Sequence, residues 1–350
     1  MLASLFEKKD NGLIRCTACK QYCLISNNQT GICGVRKNVN GNLYLLVYGK
    51  ASAVQVDPVE KKPLFHFLPG SEIFSLGTLG CNFACSFCQN YDISQATREL
   101  KLKFLDKNEQ QLRLAELTDY GQWLEPEQIV GYCVENNIPS VAFTYNEPAI
   151  FFEYAFDTAR LAKKSGLKSV FVSNGYESDE ALLKIRPYLD AINIDLKAFS
   201  EDFYLKTCRA KLAPVLETIK KVHELGIWLE ITTLVIPGKN DSEKELSDIA
   251  EFIASIDKNI PWHVTKFHPD YKMLDVNETP LETLELAYSF GKKAGLNFVY
   301  VGNVSSEHES TFCPNCGKLL IRRNWYDVEV LGIKNGKCDN CKTKIPGVWK

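Results

Sequence analysis

The cysteines are the residues whose spacing most directly indicates chemistry in this chain. Its 350 residues include 13 cysteines. Most of them fall into three groups, which are Cys16, Cys19, Cys23 and Cys33; Cys81, Cys85 and Cys88; and Cys313, Cys316, Cys338 and Cys341. An odd number of clustered cysteines, without a secretory leader, argues against a disulfide framework. The pattern predicts metal ions or iron–sulfur clusters in a cytoplasmic protein.

The C-terminal group has the spacing of a zinc ribbon. Two Cys-x2-Cys pairs are separated by candidate strands at Leu319–Arg323 and Tyr326–Val330. Paired knuckles of this kind place four thiolates at the corners of a tetrahedron around zinc. Because all four positions are filled, the predicted site is structural.

The middle group differs because it has no fourth cysteine nearby. Cys81, Cys85 and Cys88 follow a Cys-x3-Cys-x2-Cys spacing. A [4Fe–4S] cluster takes four thiolates, so three would leave one iron open to a non-protein ligand. An open position distinguishes a catalytic metal site from a structural one. The alternative is a zinc ion that borrows a distant histidine.

The N-terminal group precedes a small predicted β layer. Asn40-Gly41 marks the turn of a hairpin, and a further strand is predicted at Ala51–Val56. A module of this size needs a metal to stabilise it. Zinc is the first choice and an auxiliary [4Fe–4S] cluster the second, because both take four thiolates.

The elements that must position these groups alternate between strands and helices. The predicted strands are Ile73–Leu79, Ser140–Thr144, Ser169–Ser173, Ala191–Leu196, Trp228–Ile236, Trp262–Phe267 and Asn297–Val301. The predicted helices are Pro126–Asn136, Ala149–Lys164, Asp179–Arg186, Ala213–Leu225, Ser242–Ile256 and Leu281–Lys293. Such alternation predicts a parallel sheet, either a barrel or an open doubly wound sheet. The charged segment Arg98–Trp123 is interpreted as a solvated surface excursion, with a substrate lid as the alternative.

Polar residues follow these strands, at the edge where the active sites of parallel α/β proteins form. The cysteines at 81–88 follow the first strand, Tyr145-Asn-Glu-Pro148 the second and Ser173-Asn-Gly175 the third, while Asp195 and Lys197 close the fourth and His263 begins the sixth.

The composition of the chain disfavours two other classes of protein. A net charge of −2 disfavours a general nucleic-acid-binding surface, and the longest apolar runs are too short to span a membrane.

At these residues the chain resembles the radical S-adenosylmethionine (SAM) enzymes. The three cysteines, with Phe87 before the last, are similar to the cluster motif of the pyruvate formate-lyase activating type. Within that type the chain looks most like the AmmeMemoRadiSam-system branch. The segments that carry this closer resemblance are Asp57-Pro-Val-Glu-Lys-Lys-Pro-Leu-Phe-His-Phe-Leu-Pro-Gly70, Gly77-Thr-Leu-Gly-Cys-Asn-Phe-Ala-Cys-Ser-Phe-Cys-Gln-Asn90, Gly31-Ile-Cys-Gly-Val-Arg36 and Ile345-Pro-Gly-Val-Trp349.

The resemblance implies an α/β fold, a partial (β/α)6-type barrel with a [4Fe–4S] cluster whose open iron binds SAM. One electron would cleave SAM to methionine and a 5′-deoxyadenosyl radical, which abstracts hydrogen from a substrate. The electron donor would be a protein such as a ferredoxin or flavodoxin. The predicted domains are a Cys-rich β module (residues 1–70), the barrel (71–304) and a C-terminal zinc ribbon (305–350).

Carried over by position, the resemblance also implies the site residues. Cys81, Cys85 and Cys88 would be the cluster ligands. The implied SAM-binding residues are Asn146, Glu147, Ser173, Asn174, Asp195, Lys197 and His263. Tyr145 and Asn146 stand where glycines are usual, and the fifth strand has Glu230 and Thr232 where activating enzymes carry an arginine.

Several functions stay open at this point. The leading hypothesis is a radical SAM enzyme acting on an unidentified protein, small molecule or RNA, and one version of it activates a glycyl-radical enzyme. The rival is a non-enzymatic multi-metal scaffold whose zinc ribbon binds protein or nucleic acid.

Overall fold

The computed structural model describes residues 1–350, which divide into two compact units. The first comprises Met1–Val56, Ile73–Asp190 and Cys208–Ala210, and the second comprises Asp57–Glu72, Ala191–Thr207 and Lys211–Lys350. The division falls between the third and fourth strands of the predicted barrel. The predicted domain boundaries at residues 70 and 304 therefore stay a prediction.

The first unit contains three parallel strands. They are β1 (Glu72–Gly77), β2 (Ser140–Phe143) and β3 (Lys168–Ser173). β2 lies between the other two, with Phe143 opposite both Leu76 and Phe171. The strands are buried on both faces, as parallel strands covered by helices are. The helices between and after them are Pro126–Glu135, Phe152–Lys164 and Asp179–Ile185.

The N-terminal part of the same unit is a set of short strands. They are Phe6–Lys8, Ile14–Cys16, Leu24–Ile25, Arg36–Val39, Asn42–Leu45, Lys50–Ala51 and Ala53–Pro58, and only residues 53–56 of the last strand belong to this unit. The predicted hairpin is present, and Asn40 (φ 51°) and Gly41 (φ 75°) both take the left-handed conformation that its two-residue turn requires.

The second unit contains four further parallel strands. They are β4 (Ala191–Asp195), β5 (Trp228–Val235), β6 (Trp262–Lys266) and β7 (Val299–Gly302). The strands pair in this order. The longer helices of this unit are Leu212–Glu224, Glu243–Ile256 and Leu281–Lys293, and none of the chain's helices is long and apolar enough to cross a membrane.

The C-terminal ribbon closes the second unit. Its strands are Thr311–Phe312, Leu319–Asn324, Asp327–Val330, Ile333–Lys334 and Lys337–Cys338. Cys313 and Cys338 are buried with Leu320, Ile321 and Ile345 in one apolar cluster. The predicted ribbon strands are present, which places the two cysteine pairs on a β scaffold.

The charged segment after the middle cysteines is largely helical. It forms helices Ala96–Lys103 and Lys107–Thr118 and a short strand, Gln122–Trp123, that pairs with Lys50–Ala51. Asp106 caps the second helix by accepting hydrogen bonds from the backbone N–H groups of Asn108 and Glu109. Most side chains of the second helix are exposed, which agrees with the solvated part of the interpretation.

Candidate functional site

The middle cysteines lie on the loop that follows β1. The side chain of Asn146, beyond the end of β2, holds the start of this loop. Its Oδ1 accepts from Thr78 N at 3.2 Å and its Nδ2 donates to Gly80 O at 2.8 Å. Tyr145 adopts φ 68°, the left-handed conformation that glycine adopts most readily. The backbone at Tyr145 therefore has the conformation that a glycine would adopt at this position.

The three thiols suit an iron–sulfur cluster better than a single ion. Cys85 is 6% exposed, and Cys81 and Cys88 are half-buried. Their sulfur atoms do not form a group within 4.8 Å of one another, which fits ligands to separate irons. Phe83 N donates to Cys81 Sγ at 3.5 Å, a contact that would stabilise a thiolate. Burial raises the pKa of Cys81 well above its ordinary value, so a bound cation must displace the proton.

Glu147, Ser173 and Asn174 come together beside this loop. The Glu147 carboxyl accepts from Ser173 Oγ at 3.2 Å and from Asn174 N at 2.9 Å. Asn174 Nδ2 points toward the cysteine loop, with Asn82 Oδ1 at 2.8 Å and Cys81 Sγ at 3.9 Å. Burial and the neighbouring Glu177 raise the pKa of Glu147 well above its ordinary value. The predicted residues of the first unit therefore form one connected set.

Asp195 and Lys197 form a close pair at the end of β4. Lys197 Nζ lies 2.7 Å from Asp195 Oδ2, and the Asp195 side chain is 36% exposed. The backbone of Lys197 is held by the hydroxyl of Tyr204, which accepts from its N–H at 3.0 Å, and by Asn240 Nδ2, which donates to its carbonyl at 2.6 Å. The backbone of Lys197 is thus fixed by surrounding residues, while the Asp195 carboxylate stays accessible.

His263 aligns with Asp195 across the sheet, but it is engaged by a neighbour. Thr232 is the register partner of both residues, so all three side chains lie on one face. His263 is buried and its Nε2 lies 2.7 Å from Glu230 Oε2. The predicted contact of His263 with SAM stays a prediction.

Glu230 has a structural role that the sequence did not predict, although it was noted there as a departure from the activating enzymes. Its carboxylate accepts from the backbone N–H groups of Phe65 and His66 at 2.9 and 2.8 Å, and from Trp228 Nε1 at 3.0 Å. Although burial acts to raise its pKa, the hydrogen bond from His263 and the nearby imidazoles hold the pKa of Glu230 below its ordinary value. The sequence signal for this role is an acidic residue within a strand whose other residues are mostly apolar.

The C-terminal cysteines converge on the position of one ion. Their four sulfur atoms lie within 4.8 Å of one another, with Cys313 and Cys341 3.5 Å apart and Cys316 and Cys338 3.7 Å apart. Tetrahedral Zn–S bonds of about 2.3 Å require sulfur separations of about 3.8 Å. Hydrogen bonds from Thr343 lower the pKa of Cys341 to about 5, which favours the ligating thiolate.

The N-terminal cysteines line one pocket of the first unit. Cys16, Cys19 and Cys33 are buried, and Cys23 is half-buried. Burial raises the pKa of Cys16 to about 11 and that of Cys19 well above its ordinary value. Isolated thiols here would be protonated, so thiolates require a bound cation.

Comparison with known proteins identifies the family of this chain. Residues 76–253, which include the cysteine loop and strands β2 to β5, match the Radical SAM superfamily. The chain belongs to the radical SAM superfamily. Its α/β fold is accordingly a radical SAM partial barrel with small N-terminal sheets and a C-terminal four-cysteine site, and it is a radical SAM enzyme.

Individual relatives do not extend this assignment to a substrate. An uncharacterised protein of Methanocaldococcus jannaschii is 41% identical over 347 residues, covering 98% of both chains. The pyruvate formate-lyase-activating enzyme of Clostridium pasteurianum is 22% identical over 211 residues, which are 56% of this chain and 80% of that enzyme. A radical SAM methyltransferase from Sphaerobacter thermophilus aligns in structure with a TM-score of 0.47 and 14% identity, over 67% of each chain.

Proposed function

We propose that Cys81, Cys85 and Cys88 hold the catalytic [4Fe–4S] cluster and that the polar ends of β2 to β4 bind SAM. The observation that carries the proposal is the connected set of hydrogen bonds that joins Glu147, Asn174 and the cysteine loop. When bound, the cluster and SAM supply reductive cleavage of the sulfonium and a radical that abstracts hydrogen from the substrate.

The residues of the chain perform binding and positioning. Asn146 fixes the backbone that carries the cysteines, and the Asn174 amide faces Cys81. Lys197 is a cation suited to the carboxylate of SAM, while the partly exposed carboxylate of Asp195 is an acceptor suited to its hydroxyl or ammonium groups. His263 on β6 and Glu230 on β5 are joined by a hydrogen bond between their side chains.

The test is the production of 5′-deoxyadenosine from SAM under anaerobic, reducing conditions. The triple variant Cys81→Ala/Cys85→Ala/Cys88→Ala is expected to lose all product while its far-ultraviolet circular dichroism stays that of the wild type. Cys133→Ala is the matched control, because Cys133 is a buried cysteine on helix Pro126–Glu135 outside the three groups. Product formation by the triple variant would disprove the assignment.

The resemblance to the AmmeMemoRadiSam-system branch supports a placement within the superfamily. The segments around Lys62 and Cys81 carry it. We propose on this basis that the enzyme acts on a substrate of that system and takes its electron from a ferredoxin- or flavodoxin-like protein. Anaerobic incubation with deuterated candidate substrates, followed by analysis of label in 5′-deoxyadenosine, identifies the substrate.

Activation of a glycyl-radical enzyme is the second candidate. The similarity to a pyruvate formate-lyase-activating enzyme over 56% of this chain favours it. Glu230 disfavours it, since its carboxylate is buried and bonded at the position where activating enzymes carry an arginine. A glycyl radical detected by electron paramagnetic resonance in a candidate partner would support activation.

The C-terminal four-cysteine site is proposed to hold zinc. The sulfur separations support a single tetrahedral ion, and burial of Cys313 and Cys338 in the apolar cluster supports a structural role.

A further inference from the structure

The N-terminal cysteines differ from the C-terminal ones in how far apart their sulfur atoms stand. The C-terminal four converge within 4.8 Å of one another, whereas the N-terminal four form no such group, although they line the same pocket. A single zinc ion needs sulfur separations of about 3.8 Å. A cubane cluster binds each thiolate to a different iron, so its ligands stand farther apart.

The middle cysteines provide an internal comparison for this spacing. Cys81, Cys85 and Cys88 also fail to converge within 4.8 Å, and their motif is the cluster motif of the family. The chain therefore contains one set of thiols spaced for an ion and two sets spaced more widely. In the spacing of its sulfur atoms, the N-terminal set therefore resembles the loop of Cys81, Cys85 and Cys88.

A buried cation beside the pocket is a second, independent observation. Arg36 is 1% exposed and lines the pocket. Its Nε donates to Ile150 O at 2.8 Å and its Nη2 lies 2.5 Å from Glu153 Oε2, but its Nη1 is buried without a hydrogen-bond partner. Because leaving a buried charged donor unpaired is costly, an anionic acceptor is expected there. The sulfides and thiolates of a cluster would supply one.

The pocket is also enclosed on the side of the cysteine loop. Asn82, the neighbour of Cys81, lines it, and Gln21 Nε2 donates to Asn82 O at 3.1 Å. Gly80 has φ 88°, and a Cβ at that position would stand 2.4 Å from Cys33 O. The two cysteine loops are therefore in direct contact within the first unit.

We propose that Cys16, Cys19, Cys23 and Cys33 bind a second [4Fe–4S] cluster instead of zinc. All four irons of this cluster have a thiolate ligand, so it has no open position for SAM. Its place beside the Cys81 loop makes it an auxiliary cluster of the same enzyme.

The experiment is anaerobic reconstitution with iron and sulfide, followed by desalting and measurement of iron, sulfide and zinc per chain. The wild type is expected to hold about eight irons, since each cubane holds four. The Cys81→Ala/Cys85→Ala/Cys88→Ala variant is expected to keep about four irons and four sulfides, with visible absorption that bleaches on dithionite. Cys133→Ala should match the wild type, and Cys16→Ala/Cys19→Ala should hold about four irons.

Two results would overturn the proposal. They are a triple variant with no iron and two zinc ions per chain, and an N-terminal variant that holds as much iron as the wild type. The triple variant leaves the N-terminal cysteines intact, so the proposal stays testable if the N-terminal variant does not fold. Failure of the proposed catalytic cluster would give a different result. The wild-type protein would then hold about four irons, and the triple variant would keep all of them.

Discussion

Asp195 and Lys197 form an ion pair that remains accessible to a ligand. Their 2.7 Å ion pair is partly exposed, and such a pair contributes little to stability because water screens it. The backbone of Lys197 is fixed by Tyr204 and Asn240 independently of the pair. A change in either charge should therefore affect ligand binding more than folding.

Asp195→Asn and Lys197→Met are expected to raise the dissociation constant for SAM at least tenfold. They should lower the melting temperature only slightly. Equilibrium binding and thermal unfolding of the same preparations measure both effects. Lys206→Met is the control, because its pair with Asp202 is exposed on both sides. A loss of stability with unchanged SAM affinity would show a structural pair.

His66 is a buried titratable residue with a predictable pH response. Its imidazole lies between Pro346 O at 2.7 Å and the Tyr300 hydroxyl at 2.6 Å, and burial lowers its pKa to about 4. The folded protein therefore keeps His66 neutral below pH 6.5, where the unfolded chain takes up a proton. The contribution of His66 to stability is present above pH 6.5 and is lost as the pH falls toward 4.

Between pH 6.5 and 4 the free energy of unfolding should fall by up to about 3 kcal/mol through this residue. His66→Gln should remove that part of the pH dependence while other titrating groups keep theirs. Urea unfolding of both proteins at several pH values measures the difference. Identical pH slopes for the two proteins would contradict the assignment.

Glu230 binds a whole segment of the chain to a strand through a single side chain. Through Phe65 N and His66 N it attaches the stretch Asp57–Glu72 to β5. Loss of its carboxylate would leave buried donors without an acceptor, which is a large cost.

Glu230→Ala is expected to lower the free energy of unfolding by about 3–5 kcal/mol, as removal of one partner of a buried charged network does. Hydrogen exchange should become faster in residues 57–72. Glu282→Ala, at an exposed position in the first turn of helix Leu281–Lys293, is the control and should lower stability by no more than about 1 kcal/mol. Unchanged exchange in residues 57–72 would show that the segment is held by packing alone.

The elements that sequence reasoning predicted well are those with strong periodicity. Leu281–Lys293 has its predicted bounds. Gly166, Gly226 and Gly295 each follow a helix and have positive φ, which is a common local signal for a helix end. Helix Lys107–Thr118 was missed because it is charged and has few buried side chains. Its docking depends on contacts distant in sequence, which periodicity does not reveal.

The site shows the same difference between local and distant information. The cysteine groups are visible because their spacing is short. The four donors to Glu230 come from three separate parts of the chain, at residues 65–66, 228 and 263, and the separation of the sulfur atoms at the N-terminal site depends on the folded loop. Spacing alone could therefore identify the metal sites but could not distinguish zinc from a cluster.

For the molecule as a whole, the metal sites should differ in how they respond to chelation. A zinc chelator such as EDTA is expected to remove one zinc ion from the C-terminal site, since Cys316 is exposed. Metal loss should increase hydrogen exchange in residues 305–350, because structural zinc contributes folding free energy directly. Residues 1–56 should keep their protection, and the iron content should stay constant. Parallel loss of protection in residues 1–56 would indicate zinc at the N-terminal site.

The unequal burial of the cysteines also bears on how the enzyme would age in air. Cys16, Cys19 and Cys33 are at most 8% exposed, whereas Cys81 and Cys88 lie on a half-open loop. Oxygen damage follows access, so the SAM-binding cluster should decay before the N-terminal one. A preparation handled briefly in air would then stay brown and yet be inactive. The brown colour would then come from the buried N-terminal cluster. Only the cleavage of SAM would measure the cluster held by Cys81, Cys85 and Cys88.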